Sequence, residues 1–324
     1  MSIFAVSTET QPRRMTGGAA LLTIVMLGLL LLPWIAGSYY QGIAIKMMIF
    51  GLFGASLNLV LGYAGLASLG HAAFFGVGGY TVAKLAVSGF PSFWLQLGLA
   101  GLLAMLTAAL FSLMTLRARG AYLLMITLAL AQVLWGVAYS WKEVTGADDG
   151  IPGVTRPSGD FIWNLSTDLG FYNFVLLAFS LAIFAFWVLV RSPFGRVLIG
   201  IRENERRMVV LGYNVWLYKY VACILSGLVA GIAGALLVWQ NGFVGPSYLS
   251  ISLSATALIM VILGGAGTVI GPVLGAFIIV GLENYVSGVT DRWLFVLGLI
   301  YVLVTLFAPH GLIGLLSRNA GERE

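Results

Sequence analysis

Residues 171–190 read FYNFVLLAFSLAIFAFWVLV, twenty residues without a charge. At about 1.5 Å of rise per residue, a helix of that length matches the roughly 30 Å hydrocarbon core of a bilayer. Arg191 follows, and residues 192–216 read SPFGRVLIGIRENERRMVVLGYNVW. The abrupt change from apolar to basic marks where the chain leaves lipid. The same alternation runs outward in both directions. Apolar stretches occupy 19–36, 42–61, 66–88, 92–116, 120–140, 217–239, 251–264, 268–288 and 292–309. They lack the period-two alternation of barrel strands, and helices are then the way to satisfy backbone hydrogen bonds in lipid.

Composition agrees. Charged residues make up 9% and hydrophobic residues 60% of 324, whereas a soluble domain carries about 25% charged residues. The predicted fold is all-α: one polytopic transmembrane bundle over residues 1–324 with about ten membrane segments. Gly-rich segments can be re-entrant instead of spanning. The run after Arg13-Arg14 is long and followed by further spans, so it predicts an uncleaved first helix and not a signal peptide. Cys223 is the only cysteine, so an intrachain disulfide is excluded; it reads as a small buried apolar residue.

Alternating the ten segments from a cytoplasmic N-terminus puts twelve of the 17 Lys and Arg residues inside. These are Arg13, Arg14, Arg117, Arg119, Arg191, Arg196, Arg202, Arg206, Arg207, Lys219, Arg318 and Arg323. Lys46, Lys84, Lys142, Arg156 and Arg292 fall outside. Positive residues favour the cytoplasmic side, which predicts both termini cytoplasmic. It also accounts for the net charge of +5 without a nucleic-acid partner. Two loops stand out. The outer loop, 141–170, is acidic, with Glu143, Asp148, Asp149, Asp160 and Asp168; the inner loop, 191–216, is basic.

Motifs of enzymes are missing. The chain has no G-x-x-x-x-G-K-[ST] and no H-E-x-x-H, and it contains two histidines; neither ATP binding through a P-loop of its own nor metalloprotease chemistry follows. Polar residues at membrane depth are the remaining candidates, because they face a bundle interior or a cavity. Residues 58–80, NLVLGYAGLASLGHAAFFGVGGY, combine Asn58, Ser68, Gly70 and His71 with further glycines. The segment reads either as a polar translocation path or as close helix packing with interhelical hydrogen bonds. Glu283 is an acid near the outer end of a span, placed to reach the interface or to pair near Arg292. LGYAG at 61–65 is echoed by LGGAG at 263–267, each after an apolar run, as in transporters built from repeats.

Within the inner loop, Ile201, Met208 and Leu211, with Val209 nearby, give one side of a short helix whose other side is charged. Gly212-Tyr213-Asn214 supplies a stop. The segment is either a docking knob for a cytosolic partner or a solvated loop that sets topology.

At these residues the chain closely resembles the LivM-like permeases of bacterial branched-chain amino-acid ABC importers. The resemblance lies in LNLVLGYAGLASLGHAAFFGVGGY (57–80), GADDGIPGV (146–154), SPFGRVLIGIRENERRMVVLGYNV (192–215), AGIAGALLVWQNGFVGP (230–246), LIMVILGGAGTVIGPVLGAFIIVGLE (258–283) and APHGLIGLL (308–316). It implies a multi-pass permease of the bacterial inner membrane that forms the path with a second, LivH-like permease. A periplasmic binding protein would deliver the amino acid, and two cytosolic ATPase subunits would hold ATP and Mg, with no cofactor on this chain. The resemblance assigns Arg202, Glu203, Asn204, Glu205, Arg206, Arg207 and Gly212 to the ATPase-coupling loop. Arg206 and Arg207 stand where the family's loop has small residues. Asn58, Ser68, Gly70, His71, Gly264, Gly265 and Glu283 are expected along the path, and Asp148 and Asp149 at the binding-protein face. Leu66 replaces a residue that is commonly polar, which points to a different solute if the position lines the path; because related permeases share this architecture, urea or a short-chain amide is the alternative cargo. The alternative of another class is an ion-coupled secondary transporter, for which His71 and Glu283 are sparse relays.

Overall fold

The computed structural model describes residues 16–35, 37–90, 92–118, 120–157 and 164–289, and a few isolated positions beyond. Arg13, Arg14, Arg119, Asp160, Arg292, Arg318, Arg323 and the stretch 308–316 lie outside the described residues, as does nearly all of the expected tenth segment.

The helices are α1 (Thr16–Ile35), α2 (Ser38–Asn58), α3 (His71–Val87), α4 (Phe93–Thr115), α5 (Ala121–Ser140) and the short α6 (Lys142–Thr145). They continue with α7 (Asp168–Arg191), α8 (Pro193–Glu203), α9 (Glu205–Val210), α10 (Val215–Asn241), α11 (Ile251–Gly264) and α12 (Gly271–Val289). A π-helical turn, Leu59–Tyr63, prolongs α2. Two short strands, β1 (Ile151–Pro152) and β2 (Phe243–Val244), pair antiparallel.

Helix starts follow the residues available to cap them. Side chains of Thr167, Ser192, Asn204, Asn214 and Ser250 accept hydrogen bonds from amides of the first turns of α7, α8, α9, α10 and α11, satisfying donors that have no partner inside the helix.

Six helical segments are long and apolar enough to cross a membrane: 38–63, 93–115, 121–140, 168–191, 215–241 and 271–289. Residues 23–34 within α1 and the 14 residues of α11 form shorter apolar helices. The described residues therefore carry six helices of spanning length where about ten segments were expected. Hydropathy merged two kinds of backbone at 66–88. Residues 64–70 are not helical, and α3 has 17 residues, about 25 Å of helix. The irregular stretch is tolerated because its amides find partners. Leu66 N–H donates to the Val60 carbonyl at 2.9 Å, Leu69 N–H to Thr127 Oγ1 and Gly70 N–H to Ser68 Oγ, both at 3.3 Å.

α2 and α10 form the centre. α10 packs along α3 and α4, and α2 lies against α12, α7 and α10. Small residues allow this approach. A Cβ on Gly227 or Gly231 of α10 would collide with Ala108 or Ala104 of α4, and one on Gly78 or Gly234 with the Gly231 or Phe75 carbonyl. This is the small-residue seam by which membrane helices gain van der Waals contact. The outer faces of α4, α5 and α7 expose Leu106, Leu110, Met125, Val133, Leu181 and Phe184. Such a surface suits lipid, not water.

Two groups of loops lie at two ends of the described bundle. At one end β1 meets β2, and Lys84 Nζ donates to the Glu143 carbonyl at 2.8 Å. At the other, the loops at 62–70, 191–216 and 264–270 converge.

Candidate functional site

The basic inner loop is folded, and its break is local chemistry. Asn204 leaves helical geometry (φ −155°, ψ 95°), and its Oδ1 accepts from Arg207 N–H at 3.0 Å. That cap ends α8 and starts α9. α9 closes with Gly212 at φ +87°, as expected. Gly212 N–H donates to the Val209 carbonyl at 3.0 Å and Tyr213 N–H to that of Met208 at 3.1 Å, the two bonds of a Schellman closure. Asn214 then caps α10. Glu205 binds Lys219 of α10 at 3.1 Å. The knob is thus fixed at both ends.

The single apolar side expected for this loop is divided. Ile201 and Met208 are buried, but Val209, Val210 and Leu211 are 58%, 87% and 63% exposed. The break at Asn204 is the reason, since two short helices cannot share one stripe. The outcome is an apolar tip beside exposed Glu203, Arg206 and Arg207.

Arg202 turns away from that tip. Its Nη1 donates to the Gly62 carbonyl, and Gly267 lies against the same guanidinium. Asn58 completes the cluster: Nδ2 donates to the Thr268 carbonyl at 2.8 Å, and Oδ1 accepts from Gly267 N–H at 2.9 Å. Asn58 thereby ties α2 to the α11–α12 turn that follows Gly264 and contains Gly265.

His71 opens α3 and is 1% exposed. Ser56 Oγ donates to the Phe53 carbonyl and Ser226 Oγ to that of Ser56, at 2.7 and 2.5 Å. Both hydroxyl hydrogens are spent, so His71 Nε2, 2.8 Å from Ser56 Oγ and 3.5 Å from Ser226 Oγ, donates to them. The ring is held between Phe53 and Phe74, each with its centroid 5.5 Å away. The next amide, Ala72 N–H, donates to Ser254 Oγ at 2.9 Å. Beside His71 lies a cavity of about 30 Å³, lined in part by Ser68, Leu66, Ser112, Thr127 and Cys223. It has room for about two waters and is far below the roughly 150 Å³ that accepts a benzene ring.

The expected path residues therefore fall in three places. Ser68 and His71 line the cavity, with Gly70 between them in sequence; Asn58 of α2 bonds the α11–α12 turn, which follows Gly264 and contains Gly265. Glu283 stands apart on α12, half-buried, with Lys46 of α2 the charge acting on it; Arg292 lies outside the described residues. At the opposite end, Asp148 and Asp149 are exposed on a tight turn whose Gly146 and Gly150 have positive φ. Asp168 is engaged by Arg156 at 2.9 Å. Arg156 also donates to the Trp239 carbonyl and Gln240 Oε1, and stacks over Phe171.

Sequence reasoning passed over Ser56, Ser226 and Ser254, which position His71 and the start of α3, and Arg156, which anchors the outer loop. A lone serine in an apolar run carries no signal of its partner. Among the described residues, no cluster of three His, Cys, Asp or Glu could hold a metal.

Comparison with known proteins adds the family. A family model described as "Branched-chain amino acid transport system / permease component" matches residues 39–305. The high-affinity branched-chain amino acid transport system permease proteins LivM of Salmonella typhimurium and Escherichia coli are each 30% identical over 303 residues. Those alignments cover 87% of this chain and 71% of each relative. The probable branched-chain amino acid transport permease protein LivM of Methanocaldococcus jannaschii is 23% identical over 325 residues, 84% of this chain and 93% of that one. No solved structure matches.

Proposed function

This chain belongs to the family of permease components of branched-chain amino acid transport systems, and we propose that it is one of two permease subunits of an ATP-driven importer for branched-chain or related hydrophobic amino acids. A second homologous permease completes the path. Two cytosolic ATPase subunits, which hold ATP and Mg, dock on the 202–212 knob. A periplasmic binding protein delivers solute at the end bearing Asp148 and Asp149. On this reading the knob end and both termini face the cytoplasm, in the bacterial inner membrane.

The observation that carries this reading is the exposed tip Val209-Val210-Leu211 on a knob capped at both ends and bonded into the bundle. An apolar tip ringed by charge suits a protein groove; a loop that only set topology would not need it. Coupling then requires that the ATPase contact the knob differently in two states, since a partner shifts an equilibrium only by its differential affinity.

Secondary transport is disfavoured by the placement of the two relay candidates. His71 is enclosed by α2, α3 and α10, and Glu283 lies on α12; among the described residues no hydrogen bond links them.

The test is reconstitution of the chain with its neighbouring permease, ATPase and binding-protein gene products in proteoliposomes. Leucine uptake that requires both ATP and the binding protein is expected, with urea a poor competitor. Uptake by this chain alone under an ion gradient would overturn the proposal, and efficient competition by urea would redirect the cargo.

A further inference from the structure

The glycine echo has a physical counterpart. The fifth residues of LGYAG (61–65) and LGGAG (263–267) are Gly65 and Gly267, and both adopt left-handed backbone, at φ +72° and +83°. Each is the close-approach point of one turn: Gly65 between α2 and α3, Gly267 between α11 and α12. Both approach the same side chain. A Cβ on Gly65 would lie 2.9 Å from Arg202 Cγ, and one on Gly267 would lie 2.7 Å from Arg202 Nη1. The left-handed backbone and the missing Cβ are both needed. The Gly62 carbonyl accepts from that same Nη1. Two turns 200 residues apart in sequence therefore meet at one guanidinium.

Arg202 differs from its neighbours in the knob. Arg202, one residue before the end of α8, is exposed like Glu203, Arg206 and Arg207, but its Nη1 reaches across to the Gly62 carbonyl. Beyond the break at Asn204, α8 leads into α9 and the exposed tip. Turn 62–70 leads directly into His71 and the small cavity beside it, and turn 265–270 joins the two helices that pack beside α2.

We infer that Arg202 is a transmission residue: its guanidinium couples displacement of the knob to both glycine turns at once, and so to the His71 cavity and the α11–α12 pair together. This rests on the reading that the knob docks an ATPase. Arg202 itself is a positioning residue and makes no part of the docking tip. The planar fork is needed because one side chain must bond one turn while filling the notch of the other. A lysine offers a point charge without that shape.

The experiment uses the assembled complex with its ATPases in proteoliposomes. Single cysteines at Ala67→Cys (first turn) and Ala266→Cys (second turn) are placed in a Cys223→Ala background. Each is probed by thiol-labelling rate with and without ATP. In the parent, both positions are expected to change labelling rate on ATP addition. In Arg202→Gln, with labelling and uptake normalised to the ATPase bound, both ATP-dependent labelling changes should vanish together, and uptake per ATP hydrolysed should fall about tenfold. That factor is the lower end of what the loss of one charge-assisted hydrogen bond yields. Arg202→Lys should recover only part of it. A purely structural role would lower the thermal stability of the complex without altering uptake per ATP, and that result overturns the inference. Loss of the response at one turn alone also overturns it, as does an Arg202→Gln complex with parental coupling. If the parent chain does not bind an ATPase at all, the function proposed above fails, and this inference fails with it; in the other outcomes the docking reading survives.

Discussion

Asn58→Ala separates a path-lining role from a fastening role for a residue that the sequence places at membrane depth. Asn58 is 2% exposed and makes two bonds to the α11–α12 turn, at 2.8 and 2.9 Å. Both partners are main-chain groups of a turn, the Thr268 carbonyl and the Gly267 amide, which have no helical neighbour to bond instead. Interhelical hydrogen bonds in membranes average about 0.6 kcal/mol because the freed groups usually find other partners. Here that escape is closed, and a buried group left unsatisfied costs about 1–3 kcal/mol. The expected loss is about 2–3 kcal/mol, measured by reversible unfolding in mixed micelles. Thr107→Ala, at an exposed hydroxyl bonded only within α4, is the control and should stay within about 0.5 kcal/mol. Asn58→Asp keeps the acceptor but sets an oxygen against the Thr268 carbonyl, and should be at least as damaging as Asn58→Ala. An Asn58→Ala protein of parental stability whose KM for uptake alone has changed would refute the fastening argument.

Val210→Asp, at a side chain 87% exposed, should leave stability within about 0.5 kcal/mol while lowering ATPase co-purification at least tenfold; retained binding would dismiss the tip as the docking surface. Arg206→Glu with Arg207→Glu should leave the fold and ATP hydrolysis intact and uncouple hydrolysis from uptake, read as solute moved per ATP in the reconstituted complex. Arg156→Ala removes bonds to the Trp239 carbonyl, Asp168 and Gln240 and the stack on Phe171. It should lower stability by about 2–3 kcal/mol, given the strength of hydrogen bonds to charged groups. Arg156→Lys should not restore it, because a single ammonium cannot replace the fork; full rescue by lysine would count against the argument.

The helical bundle was legible because hydropathy reports which solvent a segment meets. Nine of the ten expected segments have a helix in the described residues. Hydropathy does not report backbone angles, however. LAS at 66–68 is as apolar as much of the helix that follows, yet Gly65 and Gly70 bound a stretch whose amides bond to Thr127, Ser68 and the Val60 carbonyl. The stop at Gly212 was readable from local chemistry alone. The break at Asn204 was masked by the Arg and Glu around it, which favour helix, although the asparagine is a good cap. At the site, His71 was visible as a rare polar residue at depth. Its partners were not, because Ser56, Ser226 and Ser254 arrive from α2, α10 and α11, and only folding brings those helices together.

Where the molecule can yield follows from what kind of contact holds each part. Along α3, α4 and α10 the contacts are backbone against backbone or against alanine, at Gly78, Gly227, Gly231 and Gly234. Sliding one of those helices drives a Cα or carbonyl into its neighbour, so the seam resists shear as a unit. The knob end is joined to the same unit by the buried side chains of Leu198, Ile201 and Met208 and by discrete bonds that include Arg202 to Gly62, Asn58 to the α11–α12 turn, and Glu205 to Lys219. Hydrogen bonds of this kind are lost over about 1 Å of displacement and can be remade in a second arrangement. A load applied at Val210 therefore meets a stiff bundle through breakable joints, and the joints lie next to the small cavity at His71. Under the proposed function, that distribution of rigidity is what a permease driven by a partner subunit needs: a seam that keeps its helices in register, beside turns at 62–70 and 264–270 held by remakeable bonds.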